Sequence, residues 1–221
     1  MTPLTCKIRT SYFKKAQINK ILKIISNNLF LLYLSKEEII KKIVPNLVDI
    51  DYYSLTPTDF KLSSILIIIH FTDSTPKIIL TKRSSNLKYH RDEISFPGGT
   101  FQITDSSLLH TALRETKEEI GLYFTPAQIK GSLKAVRTLT SNFTIIPYIT
   151  FQERIHKPKI LSDEVSSILN IEIFDLFESL SSNFSYKNFS NSFVFKYDSE
   201  IIWGATARIL KQLRDCFYCT N

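Results

Sequence analysis

Three glutamates near the middle of the chain, Glu115, Glu118 and Glu119, are spaced i, i+3 and i+4. On a helix this puts three carboxylates on one face. Alone, such a face is unfavourable. Like charges at these spacings repel by a few tenths of a kcal/mol per pair, and they crowd a helix C-terminus, where the macrodipole disfavours negative charge. Arg114 and Lys117 offset only part of this. A hard divalent cation turns the liability into a site, because Mg²⁺ takes carboxylate oxygens and then recruits phosphate oxygens. A bare ExxEE is more often a solvated helix face. Here the surroundings favour a site: Gly98-Gly99 upstream, Arg114 beside the first glutamate, and Gly121 two residues after the last.

The element that must carry them is a helix over residues 107–120. Leu109, Ala112, Leu113, Thr116 and Ile120 recur as a buried stripe, about a third of a turn from the carboxylate face. Residues 105–107 supply candidate N-caps, and Gly121 stands where a helix takes a left-handed stop. Upstream, Phe96-Pro97-Gly98-Gly99 closes a strand and opens the loop into the helix. Pro97 limits ladder pairing and the glycines permit close approach of the backbone. Residues 63–71 form an apolar strand suited to a sheet covered on both faces, and residues 77–82 the next strand of a probable hairpin. Arg83 and Ser84 end it, where an arginine can hold an oxyanion with two arms.

Arg114-Glu115-Thr116-Lys117-Glu118-Glu119-Ile120-Gly121-Leu122 resembles the second half of the Nudix box, with Thr116 in the apolar slot. The first half departs from the pattern. Gly99 is one residue too far from Arg114, the early glutamate is missing, and Asp105 is the nearest acid. Leu80-Thr81-Lys82-Arg83-Ser84, Leu87, His90 and Phe96-Pro97-Gly98-Gly99 resemble the signature that precedes the box in coenzyme A pyrophosphatases, a subgroup that tolerates the longer loop. Ile202-Trp203-Gly204-Ala205-Thr206-Ala207-Arg208-Ile209-Leu210 resembles its C-terminal signature, and Asp163-Glu164-Val165 another short segment. The subgroup usually has an arginine where Lys88 stands and a glycine where Asp92 stands.

The resemblance implies a Nudix fold, an α/β/α sandwich around a mixed β-sheet, with residues 61–221 as the hydrolase domain and 1–60 as an N-terminal helical extension. It implies hydrolysis of coenzyme A or a derivative to 3′,5′-ADP and 4′-phosphopantetheine. Glu115 and Glu119 would bind Mg²⁺ or Mn²⁺, with Glu118 a further ligand or the base for the attacking water. Arg114 would orient a glutamate or the loop. Arg83, His90, Gly98, Gly99 and Glu164 would shape the substrate pocket, and Gly121 would end the helix. Two alternatives remain open: a Nudix hydrolase for another dinucleotide such as ADP-ribose or NADH, and a non-catalytic Nudix-like module binding RNA through its charge. The intact glutamate set favours hydrolysis of a small-molecule substrate over nucleic-acid binding.

Composition bounds the rest. A chain of 221 residues suits one domain with a sizeable core and an extension. The net charge of +7 favours anionic partners. Three cysteines make no disulfide framework, and the Cys216–Cys219 pair lacks two further zinc ligands nearby. With no signal peptide and no apolar run long enough to span a membrane, the expectation is a cytoplasmic protein without membrane attachment. Residues 16–34 predict an amphipathic helix and a second helix begins at Ser35 and ends before Pro45. The pair packs onto the core or forms an oligomer contact, such as a homodimer, and the alternative for a basic amphipathic helix is to lie on a membrane surface. Residues 49–61 read as a linker. Residues 132–138 and 144–151 read as paired strands, and 184–197 as a hairpin ending at Asp198. Ser162 caps a predicted short helix over 163–169, with Glu164 in its first turn. The last helix is predicted over 201–213, with Trp203, Thr206, Ala207 and Leu210 on one face and Trp203 in the core.

Overall fold

The computed structural model describes residues 34–49, 60–73, 75–86, 90–186 and 189–218, with side chains described except at 183–192. Residues 16–33 of the expected first helix, most of the expected linker, Leu87, Lys88 and Cys219 lie outside the described residues. Contacts divide the chain into two units, Met1–Ser35 and Lys36–Asn221, and all the elements below belong to the second.

Helix α1, Lys36–Ile43, has glutamates in its first turn and lysines in its last, as the macrodipole favours. A 3₁₀ turn, Val44–Asn46, follows with Pro45 near its start. Val48 and Ser132 then exchange two backbone hydrogen bonds of 2.8 and 3.0 Å, so the stretch after α1 joins the edge of the sheet.

Strand β1, Lys61–His70, is the spine of the fold, and every residue from Ser63 on is buried. It runs parallel to β7, Phe143–Gln152, over ten registered pairs. It pairs antiparallel with β2, Lys77–Arg83, at one end and with β4, Gly98–Thr100, at the other. Strand β2 also carries β3, Ile94–Ser95, and β8, Val165–Glu172. Strand β7 carries β5, Ile129–Ser132, and β6, Val136–Arg137. A separate three-stranded sheet joins β9, Ser181–Tyr186, β10, Phe189–Tyr197, and β11, Glu200–Ile202. The helices are α2, Leu108–Ile120, α3, Ile173–Glu178, and α4, Gly204–Tyr218.

Alternation along β1 explains its burial on both faces. Leu66 and Ile68 enter one cluster with Leu108, Leu109, Ala112 and Ile120 of α2 and with Ile146 and Tyr148 of β7. Ile65, Ile67 and Ile69 must point to the opposite face, and they are buried too. This is the mixed α/β arrangement expected from the sequence. Among the described residues no helix is long and apolar enough to cross a membrane.

Three expectations are corrected. Residues 163–169 do not form a helix: β8 begins at Val165 and pairs with β2 in a register running from Lys77–Glu172 to Arg83–Val165. That long ladder overrides a local helix signal that rested on one capping serine. The last helix begins at Gly204 rather than at 201, because Ile201 and Ile202 belong to β11 and pair with β10. Gly98 and Gly99 lie in the short strand β4 rather than in a loop.

Candidate active site

Helix α2 is fixed at both ends. Ser107 is its N-cap, its hydroxyl accepting from the His110 N–H at 3.1 Å. Gly121 closes it with φ 69° and donates to the Lys117 carbonyl. The Ser64 hydroxyl of β1 donates to the Leu108 carbonyl at 2.6 Å, tying the first turn to the sheet. At the other end an extended segment crosses the helix terminus, where the Leu161 N–H donates to the Glu119 carbonyl and the Lys159 N–H to the Ile120 carbonyl. Those are two of the carbonyls a helix end leaves without a partner.

The glycine pair sets how closely the helix approaches the sheet. A Cβ on Gly98 would fall 2.4 Å from the Ser64 carbonyl oxygen and 2.6 Å from the Ile65 Cα. A Cβ on Gly99 would fall 2.5 Å from the Glu115 carboxyl carbon. The carboxylate of Glu115 therefore lies directly against the backbone of β4. Glu119 lies beside it, 7 % exposed, and one carboxylate oxygen accepts from the Gly98 N–H at 3.1 Å. Burial pushes the Glu119 carboxyl up to about 7, with the Glu115 charge adding to it and the Gly98 N–H and Arg83 opposing it. Burial also raises Glu115, against the pull of Arg114.

Asp105 and Arg114 complete the helix face. The guanidinium grips Asp105 with two arms, Nε to Oδ1 at 2.8 Å and Nη2 to Oδ2 at 3.0 Å. Its Nη1 donates to both Glu115 and Glu118 at 2.9 Å. Asp105 also accepts from the Thr111 hydroxyl and the Gln102 N–H. The Arg114 hydrogen bonds, aided by the other two donors, hold its carboxyl well below the usual carboxylate range although burial acts against them. Arg114 thus hydrogen-bonds two of the glutamates. Asp105, noted in the sequence as a candidate N-cap and the nearest acid, anchors Arg114.

Among the described residues no three acidic, histidine or cysteine side chains converge as a ready metal cage. The Arg114 guanidinium bridges Glu115 and Glu118 instead. The donor set nevertheless fits a hard divalent cation. It is all carboxylate oxygen, two of the carboxyls are raised by burial, and the charge of Glu115 bears on Glu119. A cation between them relieves both costs.

The remaining expected residues divide. Arg83, His90, Gly98 and Gly99 line one cleft of about 430 Å³. Glu164 is not among its lining residues. It precedes β8 and pairs with Arg83, Nη2 to Oε2 at 3.0 Å, and its charge raises both Glu115 and Glu119. The Arg83 Nε is enclosed with no acceptor. His90 bonds Glu93 through Nδ1 at 3.0 Å. Asp92 adopts φ 57°, the left-handed region that favours glycine, which aspartate tolerates better than most residues. Trp203 is not in the core as expected. It is half-buried and lines the cleft with Gly204, Ala205, Thr206 and Arg208. The far wall comes from residues 138–141 and Phe143. Nothing in the sequence marked these last residues, because their approach depends on how the two sheets meet.

Comparison with known proteins identifies the family. A family model described as NUDIX domain matches residues 62–192. A Pectobacterium atrosepticum protein named "Uncharacterized Nudix hydrolase NudL" is 30% identical over 167 residues, covering 72% of this chain and 85% of that one. "Nudix hydrolase 3" of Caenorhabditis elegans is 37% identical over 116 residues, and the match spans about half of its length, 48%. Among solved structures, the NUDIX domain of Shewanella oneidensis NrtR complexed with ADP ribose aligns at a TM-score of 0.52 and 16% identity, over 82% of this chain and 98% of that one. At that identity the likeness concerns the fold.

Proposed function

Since the chain belongs to the Nudix family, we propose that it is a metal-dependent pyrophosphohydrolase that cleaves coenzyme A or its derivatives to 3′,5′-ADP and 4′-phosphopantetheine. One observation carries the substrate reading. Residues from stretches far apart in sequence line a single cleft: Arg83, then His90, Phe96, Gly98 and Gly99, then Trp203 to Thr206 with Arg208. They belong to stretches that resemble the coenzyme A pyrophosphatase signatures; the third resembling segment, Asp163-Glu164-Val165, lies outside the cleft lining. Gly98 and Gly99 line the cleft and also touch Glu119 and Glu115, which are not themselves among its lining residues.

Glu115, Glu118 and Glu119 would hold Mg²⁺ or Mn²⁺, which when bound polarises the diphosphate and lowers the pKa of coordinated water. The chain's own groups do the rest. In hydrolysis a water oxygen bonds to one phosphorus and the bridging P–O bond breaks. One proton of the water passes to a carboxylate, and Glu118 is either that acceptor or a further ligand. Arg83 supplies a guanidinium beside the diphosphate, with its charge balanced by Glu164. Arg114 keeps Glu115 and Glu118 oriented through its grip on Asp105. The close approach of β4 to α2 holds the buried carboxylates against the backbone, away from bulk water.

The test is incubation of the protein with coenzyme A and Mg²⁺ or Mn²⁺, with products separated by chromatography. Metal-dependent release of 3′,5′-ADP, lost in a folded Glu119→Gln variant, is expected. Full turnover by that variant overturns the assignment of the site.

A further inference from the structure

Arg208 is a cation the catalytic site does not use. It lies in the second turn of α4 and lines the cleft. Its one hydrogen bond among the described residues runs from Nη2 to the Arg137 carbonyl at 2.7 Å. Its Nε is enclosed with no acceptor. Among the described residues no carboxylate pairs with it, and burial alone moves its pKa, downward. Arg83 differs, because Glu164 already balances its charge.

A guanidinium held at one end by a carbonyl, with an N–H left over and no counter-ion, is matched by an anion with several acceptor oxygens. Trp203 and Phe143 line the same cleft, so it offers aromatic surface as well as the cation. That combination suits a phosphate monoester carried on a nucleoside, with the base against the aromatic side chains.

We infer that Arg208 is a specificity-determining residue that binds a second phosphate on the nucleoside, separate from the diphosphate that is cut, and so selects nucleotides carrying a phosphate monoester. This rests on the diphosphatase reading above and deepens it: it distinguishes coenzyme A, whose ribose bears a 3′-phosphate, from dinucleotides that lack one.

Trp203 is the chain's single tryptophan, so intrinsic fluorescence reports this wall directly. The metal-free protein is titrated with adenosine 3′,5′-bisphosphate and with adenosine 5′-monophosphate. The bisphosphate should bind about tenfold more tightly or better, the range of one charge-assisted contact. In Arg208→Ala the two affinities should fall within about twofold of each other. Arg208→Lys, which keeps the charge without the fork, should keep part of the preference and serves if the alanine variant does not fold. Equal affinities in the wild-type protein, or a preference undiminished in the variants, overturn the inference. Selective binding without cleavage of coenzyme A retains this inference and overturns the diphosphatase reading. Equal cleavage of coenzyme A and its 3′-dephospho form, with no binding preference, does the reverse.

Discussion

Asp105 and Arg114 form a two-armed ion pair across the turn that leads into α2, with Nε–Oδ1 at 2.8 Å and Nη2–Oδ2 at 3.0 Å. The Asp105 side chain is 1 % exposed, so water cannot replace either arm. The pair sets the third nitrogen of Arg114 between Glu115 and Glu118, which couples the loop to the carboxylate geometry.

Asp105→Asn should therefore harm both fold and turnover. Removing the Asp105 charge weakens both arms and leaves Arg114 with only Glu115 and Glu118 as counter-charges, at a cost of about 2 kcal/mol. Urea unfolding at pH 7 measures the loss, and kcat should fall at least about tenfold as Glu115 and Glu118 lose their orientation. Asp105→Glu should recover part of both. The depressed carboxyl contributes its stability above about pH 4, the ordinary carboxylate range, and loses it as pH falls further.

Glu119 makes the opposite prediction for stability. Its carboxyl, raised to about 7 chiefly by burial, must carry a buried charge at pH 8. That charge weakens the metal-free fold above the unfolded value near 4.5. Glu119→Gln should stabilise the metal-free protein at pH 8 by ~1–3 kcal/mol while abolishing most turnover. Added Mg²⁺ should raise the melting temperature of the wild type and do so far less for the variant. A variant less stable than wild type in chelator contradicts the account.

Gly98 and Gly99 are adjacent but should respond differently to alanine. At Gly99 the added methyl meets only the end of the Glu115 side chain among its nearest neighbours. The fold should tolerate it within about 1 kcal/mol, while activity falls because the carboxylate is displaced. At Gly98 the methyl meets the backbone of Ser64 and Ile65, at φ +148°. That substitution should cost several kcal/mol, on the order of an overpacked core. Circular dichroism melts alongside turnover separate the two outcomes.

His70 sets a pH dependence far from the glutamates. It is buried on β1, with Nε2 against the Asn170 side chain at 2.8 Å and Nδ1 against the Thr72 hydroxyl at 2.9 Å. Burial lowers its pKa, with Asn170 acting the other way. A histidine that folds neutral destabilises the fold as pH drops through the unfolded value near 6.5. The wild-type urea midpoint should thus fall between pH 7.5 and 5.5 relative to that of His70→Asn. Parallel pH profiles for the two proteins would contradict this.

What the sequence made legible were the elements with strong local signals. Helix α2 was readable from Ser107 to Gly121 because its cap, apolar stripe and left-handed stop agree, and the three glutamates came with it. The long apolar strand β1 was legible for the same reason. Where local signals were weak, tertiary pairing decided. Val165 to Glu172 became a strand because β2 offered an edge. Ile201 and Ile202 joined β10, and that moved Trp203 off the helix and into the cleft. The role of Asp105 was hidden because it depends on the path of the longer loop, not on spacing alone. Arg208 stood inside the segment resembling the C-terminal signature, but its place at the cleft depends on the fold.

The most direct test of the central claim is a one-pot competition. Equal concentrations of coenzyme A, ADP-ribose and NADH are offered to the protein with Mg²⁺, and the products are resolved over time. The account predicts that 3′,5′-ADP and 4′-phosphopantetheine accumulate first and that chelator stops their formation. Faster accumulation of AMP from the other two substrates, or no product from any of the three, would contradict it.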